Sequence, residues 1–243
     1  MFERKTYKSI ALKQLKNRWT TPVLITIFIT VITSLINCPS FTEDSGISNF
    51  VLLISLLGIL VNSVMSLAET SVYCKLSRTR NPATFNDFIK GFSMWAKAFL
   101  GHLWFTIWVT LWSFLFIIPG IVKAFAYSQM FYVIAENPEI SVGQAMEISK
   151  VMTKGHKGDL FTMALSFLGW GILCILTAGI GFFWLNPYMK MSFTNAYHAL
   201  KIMSIQKGEL KESDFGPVES ETNAKQNTSS ETADSHSSEQ GEN

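Results

Sequence analysis

Six long apolar runs alternate with short polar segments along most of the chain. A helix needs about 20 mostly apolar residues to cross the hydrocarbon core of a bilayer, and each run reaches or approaches that length. We therefore predict an all-α polytopic membrane protein with about six transmembrane helices and additional interfacial amphipathic helices. The predicted spans, in chain order, are 22–37, 49–68, 98–118, 121–136, 160–177 and 180–200.

A basic amphipathic segment, Arg4–Trp19, precedes the first span. Tyr7, Ala11 and Leu15 fall on one helical face, while lysines and arginines fill much of the remainder. This pattern is typical of a helix that lies in the membrane interface. A solvated arm next to the membrane is the second interpretation.

Two of the polar connections are long enough to contain short helices. Four apolar residues after Asn81-Pro82 indicate an interfacial helix, namely Phe85, Phe88, Ile89 and Phe92. Ser141 and Gln144 fit a capping box, in which each side chain satisfies a free backbone N–H of the other residue. This pair predicts a helix over 142–154 that presents Ala145, Ile148 and Met152 on one face.

The charge distribution indicates how the spans are oriented. The chain is 48% hydrophobic and only 16% charged, whereas soluble domains carry about 25% charged residues. Lysines and arginines concentrate before the first span, in 69–97, in 137–159 and after 200, whereas the intervening connections have none. Because basic loops stay on the cytoplasmic side, we predict a protein of the cytoplasmic membrane with both termini inside the cell.

The C-terminal segment differs in composition from the membrane body. Residues 1–211 carry 19 basic and 10 acidic side chains, whereas residues 212–243 carry 1 and 8. The segment is rich in Ser, Thr, Glu, Asn and Gln and lacks aliphatic runs, so it cannot bury enough apolar surface to fold. We predict a six-span domain over 1–211 and a disordered, acidic cytoplasmic tail from 212 onward.

Residues 1–205 resemble an uncharacterised family of bacterial integral membrane proteins, the domain-of-unknown-function family nine-seven-five. The segments that carry the resemblance are 7–8, 11–12, 15–19, 116–121, 127–128, 135–140, 149–159, 168–170, 179–181 and 186–188. The family is distantly similar to the membrane domain of glycerophosphodiester phosphodiesterases. The resemblance implies a bacterial membrane protein and brings no known activity with it.

Several positions are candidates for turns or for function. Pro119-Gly120 predicts a tight turn between two spans. The sequence Glu136-Asn137-Pro138 predicts the end of a helix at the interface, because Pro disfavours a helical residue before it. Ion coupling through Glu136 is the functional alternative.

A second group of candidates lies at the start of the fifth span. Gly155 suits the C-terminus of one helix and Asp159 the N-terminus of the next. His156 and Asp159 have the spacing of half a metal site, yet no further ligand completes it nearby in the sequence. Lys154 and its neighbours are the better candidates for contact with lipid phosphates.

Lys190 is the most unusual residue of the predicted spans. It lies about ten residues into the sixth span, near the bilayer midplane, where an ionisable residue is a functional-site hypothesis by default. Asn186 and Pro187 precede it by about one turn, followed by Tyr188, and indicate a kink or a broken helix. Lys190 could line a transport pathway, or its charge could be satisfied inside the bundle.

No catalytic motif is present, and the three cysteines show no metal-ligand spacing. We therefore predict a non-enzymatic protein without a cofactor, which organises lipid or partner proteins at the inner leaflet. Its expected partners are anionic lipid headgroups and other membrane proteins, and not nucleic acid. The alternative is a small transporter, or a transporter subunit, with a midplane site near Lys190.

Overall fold

The computed structural model describes residues 2–36, 48–79, 83–115 and 117–215, without the side chains of 48–55, 115 and 117. Its described part is helical, with no β-strand among these residues. The α-helices in chain order are α1 Arg4–Leu15, α2 Thr20–Ile36, α3 Ser48–Arg78, α4 Phe85–Gly91, α5 Trp95–Leu115, α6 Ile117–Tyr127, α7 Met130–Glu136, α8 Val142–Met152, α9 Lys157–Leu176 and α10 Phe182–Gln206. Short 3₁₀ turns occupy Phe92–Met94 and Glu212–Phe215.

Three described helical stretches are long and apolar enough to cross a membrane: Leu56–Arg78, Ile118–Glu136 and Lys157–Leu176. A fourth is the pair α1 and α2, which are bent by 98° relative to each other, if the pair counts as one span. The predicted all-α class is confirmed. By length and composition, these helices support three to four membrane spans.

Helix α1 buries the face that the sequence predicts, with Tyr7, Ala11 and Leu15 all buried. This face packs along α10, where the Asn195 side-chain amide donates to the Tyr7 carbonyl and to the Gln14 side chain. Helix α1 is therefore part of the helix bundle and has protein contacts that an isolated interfacial helix lacks.

Helix α3 continues well beyond the predicted end of the second span at 68. Its sequence has no helix-breaking residue before Arg78, and so the helix runs ten residues further than predicted. Glu69, which the sequence analysis placed in a polar connection, consequently lies within a membrane-length helix. This part of the prediction was wrong.

Helix α4 begins with a capping box between Thr84 and Asp87 and ends against α3. A Cβ on Gly91 would lie 2.5 Å from the Ala68 Cα, so only glycine allows this approach. Phe88 is buried, while Phe85 and Ile89 are exposed as expected for an interfacial helix. Asn81-Pro82 lies outside the described residues.

Pro119 and Gly120 do not form the predicted turn between two helices. Both residues lie in the first turns of α6, where proline is tolerated because its missing N–H would have no helical partner. A Cβ on Gly120 would lie 2.7 Å from the Ser113 Cα, so the glycine permits close contact of α5 with α6. The predicted fourth span is instead interrupted at Ser128-Gln129, between α6 and α7.

The C-terminal half follows its sequence predictions more closely. The capping box of Ser141 and Gln144 starts α8, which buries Ala145, Ile148 and Met152 as predicted. A turn with positive φ at Ala178 and Gly179 separates α9 from α10. Pro187 is accommodated inside α10.

The structured body extends beyond the predicted boundary at 211. Phe215 is only 1% exposed, and its ring lies 4.4 Å from the Lys201 Nζ. The start of the tail was therefore predicted at least four residues too early. The predicted disorder of the remaining tail concerns residues outside the described part of the chain.

Candidate functional site

A buried carboxylate, Glu136, joins three helices at one end of the bundle. Its Oε2 accepts hydrogen bonds from the Tyr197 hydroxyl and the Lys201 Nζ, each at 2.6 Å. The Arg78 guanidinium forms an ion pair with Oε1, and only 2% of the Glu136 side chain is exposed. We call Glu136, Arg78, Tyr197 and Lys201 the Glu136 cluster.

The local sequence explains why these side chains meet. Arg78 ends α3 and Glu136 ends α7, because Asn137 leaves helical geometry with φ −134° and ψ 85° before Pro138. Tyr197 and Lys201 lie one turn apart on α10, so both face the same neighbour. The predicted helix end at 136–138 is confirmed, and the structure adds that Glu136 is the acceptor of the whole cluster.

A histidine also lies beside the Glu136 cluster. The His198 Nδ1 lies 3.7 Å from the Glu136 Oε1, and its Nε2 contacts the Ser77 hydroxyl at 2.7 Å. One carboxylate therefore faces a guanidinium, an ammonium and an imidazole. Because the Glu136 side chain is almost completely buried, its ion pairs with Arg78 and Lys201 supply the compensation that a buried charge needs.

An open cavity of about 470 Å³ adjoins the cluster, between the ends of α3 and α7 and helix α4. Arg78 and Glu136 form part of its wall, and Lys75 and Lys90 contribute further positive charge. We call it the basic cavity. Hydroxyl groups also line it, from Ser71, Thr79 and Ser93.

The carboxylate at the entrance of the basic cavity, Asp87, is held in its ionised form. The Lys75 Nζ lies 2.5 Å from the Asp87 carboxylate, and the Thr84 backbone N–H donates to the same side chain. Partial burial would raise the pKa of Asp87, but these two hydrogen bonds outweigh it and hold that pKa below its ordinary value.

Lys190, the candidate midplane residue, has a charged partner. Its Nζ lies 3.3 Å from the Glu69 Oε2 on α3. This pair agrees with the interpretation that the charge of Lys190 is satisfied inside the bundle, and the partner is an acid that the sequence analysis placed outside the helix. Lys190 also lines a cavity of about 210 Å³, which we call the interior cavity.

Three other predicted candidates lie outside both cavities. Asn186, Pro187 and Tyr188 precede Lys190 on α10, and none of them lines the interior cavity. Tyr188 packs its ring against Phe167 at a centroid distance of 5.3 Å. These three positions therefore shape the helix rather than this site.

The turn before α9 has the predicted structure. Lys154 is exposed, Gly155 has φ +83°, and the His156 Nδ1 lies 3.0 Å from the Asp159 Oδ2. The His156 ring also stacks on Phe2 and approaches the Lys207 Nζ at 3.5 Å. This turn, the N-terminus and the end of α10 thus lie together at the same end of the bundle.

Among the described residues, no group of three or more His, Cys, Asp or Glu side chains could hold a metal ion. Cys74 and Cys174 are both buried as free thiols. The third cysteine, Cys38, lies outside the described residues.

Sequence reasoning missed Arg78, Lys201, Glu69 and Gln129 as site residues. The absence of any helix breaker between Ala68 and Arg78 could have revealed Glu69 as an intramembrane acid. No local signal could have paired Arg78 with Glu136, since the two positions are far apart in the chain.

Comparison with known proteins identifies the class but no activity. The chain belongs to the family described as protein of unknown function (DUF975), whose model matches residues 1–126 and 117–204. No curated protein and no solved structure matches the chain. The expected distant similarity to the membrane domain of glycerophosphodiester phosphodiesterases stays a prediction.

Proposed function

We propose that this protein binds anionic lipid headgroups at the inner leaflet of the bacterial cytoplasmic membrane, without catalysing a reaction. In this role it organises lipid or partner proteins there. The observation that carries the proposal is the basic cavity, in which Lys75, Arg78 and Lys90 surround a volume large enough for a headgroup. Phosphate is recognised by such combinations of cations and hydroxyl groups.

The position of the basic cavity supports this assignment. Its walls come from the ends of α3 and α7 and from α4, whose exposed Phe85 and Ile89 suit insertion at the interface. A headgroup in the cavity would keep its acyl chains beside these apolar side chains. Anionic lipid is therefore a better match than a soluble anion.

A topology of about six spans with both termini inside the cell is part of the proposal. Two helices beyond the stretches named above are long enough to cross the membrane. Helix α5 has 21 residues and helix α10 has 25. At about 1.5 Å per residue, each exceeds the roughly 30 Å of the hydrocarbon core. Large apolar side chains on α5 are exposed, including Leu100, Leu103, Ile107 and Leu111.

The topology is tested with reporter fusions after 43, 120 and 179, which should behave as external, and after 80, 154 and 211, which should behave as internal. The basic loops favour this orientation. The N-terminus, the α8–α9 turn and the end of α10 lie close together. This proximity supports their placement on the same side of the membrane. Reversal of two or more fusions would contradict the topology.

Headgroup binding is tested with the full chain in nanodiscs. Mass spectrometry of co-purified lipid should show enrichment of phosphatidylglycerol over phosphatidylcholine. The double variant Lys75→Gln/Lys90→Gln should lose most of this enrichment, because both ammonium groups line the basic cavity. The matched control is Lys5→Gln/Lys13→Gln, which removes two exposed charges from α1. Equal loss of the enrichment in both variants would show that the lipid is attracted only by the general charge of the protein surface. That result would contradict the proposal.

A small transporter or transporter subunit is the second candidate. The pairing of Lys190 with Glu69 beside the interior cavity favours it, because intramembrane ion pairs mark many substrate pathways. A cysteine introduced at 190, in a background without the native cysteines, should react with a membrane-impermeant thiol reagent if an aqueous route reaches it. Absence of labelling from both sides would contradict this candidate.

A further inference from the structure

The chain leaves the described body of the protein next to the basic cavity. Phe215 is the last residue that the structure describes, and its ring lies 4.4 Å from the Lys201 Nζ. The same Nζ donates to Glu136 at 2.6 Å, and Glu136 lines the basic cavity. Two successive side-chain contacts therefore connect Phe215 with the wall of this cavity.

The basic cavity and its rim carry net positive charge. The charged lining residues are three cations and two carboxylates, namely Lys75, Arg78, Lys90, Asp87 and Glu136. At the rim, Arg18 donates to the carbonyl of Thr79 and Lys97 to that of Pro138, and both acceptor residues line the cavity. Five basic side chains thus face two acidic ones, which gives a net charge of +3.

The cations of the wall can bind a second carboxylate. Lys75 pairs with Asp87 and Arg78 with Glu136, yet 51% of the Lys75 side chain and 41% of the Arg78 side chain are exposed. An ammonium group has three N–H donors and a guanidinium group has five, so one carboxylate does not use all of them. An additional anion can therefore be bound without breaking either ion pair.

The remainder of the chain carries the opposite charge. We call residues 216–243 the distal tail, which contains six acidic side chains and one basic one, a net charge of −5. Its first two acidic residues, Glu219 and Glu221, follow Phe215 by four and six positions. At about 3.3 Å per residue, a chain spans at most about 13 Å over four residues and about 20 Å over six. This reach covers the two side-chain contacts between Phe215 and the cavity wall.

The covalent connection favours this acidic pair over more distant ones. A tethered group has an effective concentration that falls roughly as the −3/2 power of the length of its connection. Glu239 and Glu242 follow Phe215 by 24 and 27 positions, about five times as far as Glu219 and Glu221. The near pair is therefore favoured about tenfold over the far pair.

We propose that the distal tail docks in the basic cavity through Glu219 and Glu221 and competes there with anionic lipid headgroups. The docked carboxylates face the cations of the wall, Lys75, Arg78 and Lys90. The competition rests on the proposed function, whereas the docking does not. Because a headgroup replaces the carboxylates when the tail leaves, the exchange regulates lipid binding and changes the stability of the fold little.

Docking is tested by distance measurements between two nitroxide labels, using electron paramagnetic resonance. The labels are attached to Asn86→Cys, an exposed position of α4, and Ser220→Cys in the full chain without the native cysteines. Nanodiscs of phosphatidylcholine exclude anionic lipid from this experiment. A population of short distances should be present at about 0.1 M salt and mostly lost at about 1 M, where the screening length falls from about 10 Å to about 3 Å.

Two pairs of variants assign the contact. Lys75→Gln/Lys90→Gln should lose most of the short distances, whereas Lys5→Gln/Lys13→Gln, which changes two exposed lysines of α1, should retain them. In the tail, Glu219→Gln/Glu221→Gln should lose them, whereas Glu239→Gln/Glu242→Gln should not. Identical distance distributions in the parent and in Lys75→Gln/Lys90→Gln would overturn the docking.

Competition is tested by the enrichment of phosphatidylglycerol in nanodiscs of mixed lipid. Truncation after 215, which retains Phe215, should raise the enrichment at least about twofold, the factor expected when the effective concentration of the tail equals its dissociation constant. Glu219→Gln/Glu221→Gln should raise it more than Glu239→Gln/Glu242→Gln, although both changes remove two charges. Equal increases would reduce the effect to general repulsion and overturn the competition.

The two experiments separate this inference from the proposed function. Short distances without phosphatidylglycerol enrichment in any form would contradict headgroup binding and support the tail as the occupant of the cavity. Enrichment that depends on Lys75 and Lys90, without short distances and without a response to truncation, would support headgroup binding and overturn the inference.

Discussion

The two buried carboxylates, Glu136 and Glu69, are held by the same pair of long helices but in opposite ways. Glu136 has two hydrogen bonds of 2.6 Å and an arginine partner, and its side chain is almost completely enclosed. Glu69 has one lysine partner at 3.3 Å, and that lysine lines the interior cavity. The stacked rings of Tyr132 and Tyr197, with centroids 5.6 Å apart, lie on the segments that connect the two levels.

This difference separates a structural role from a binding role. A buried carboxylate that is held by a hydroxyl, an ammonium and a guanidinium has little capacity for a ligand, and its partners cannot leave without exposing unpaired charge. A carboxylate with one partner has acceptor positions that remain free. We therefore expect changes at Glu136 to have the larger effect on the free energy of unfolding. Changes at Glu69 should affect binding more than stability.

The largest effect is expected for Glu136→Gln. This change leaves the charges of Arg78 and Lys201 without a counter-charge, which should cost about 3–5 kcal/mol of the free energy of unfolding. Chemical unfolding in detergent measures it. Glu139→Gln is the matched control, because Glu139 is exposed in the adjacent turn and should change stability little. Similar losses in both variants would refute a special role of the cluster.

A smaller effect is expected for the pair inside the membrane. Lys190→Met leaves Glu69 unpaired, which should cost about 1–3 kcal/mol, because this ion pair is less completely buried, with 29% of the Lys190 side chain exposed. The double variant Lys190→Met/Glu69→Gln should recover most of the loss, and a double-mutant cycle measures the coupling. Additive losses would show that the two side chains do not interact.

The next effect concerns the beginning of the C-terminal segment. Truncation after 215 should leave the unfolding midpoint unchanged, whereas truncation after 211 removes Phe215, which covers Lys201. Loss of this buried ring should cost about 1–3 kcal/mol. Thermal unfolding of the two truncated forms in the same detergent distinguishes them. Equal stability would contradict a contribution of Phe215 to the Glu136 cluster.

The smallest effect is expected for Asp87, which lines the basic cavity and pairs with the exposed Lys75. Since its pKa is lowered in the folded protein, its ion pair stabilises the fold above the unfolded value of about 3.9 and is lost as the pH falls through the folded pKa. The stability difference between the parent and Asp87→Asn should therefore shrink below about pH 4. A difference that is constant down to lower pH would contradict the pKa shift. Exposed ion pairs contribute at most about 1 kcal/mol, so this effect stays well below that of Glu136.

The sequence alone determined those features that depend on neighbouring residues. The capping box of Ser141 and Gln144 predicted the start of α8, and the spacing of Tyr7, Ala11 and Leu15 predicted the buried face of α1. Both are local, because a cap involves one turn and an amphipathic face repeats every 3.6 residues. The all-α class followed from the apolar runs for the same reason.

The tertiary structure alone decided which charges meet. Arg78, Glu136 and Lys201 come together because three helices end or pass at one level, and no periodicity encodes that convergence. Glu69 was misplaced because composition ended the second span at 68, whereas hydrogen bonding continues a helix until a residue interrupts it. The partner of Lys190 is thus a property of helix packing, which brings side chains more than a hundred residues apart within 3.3 Å of each other.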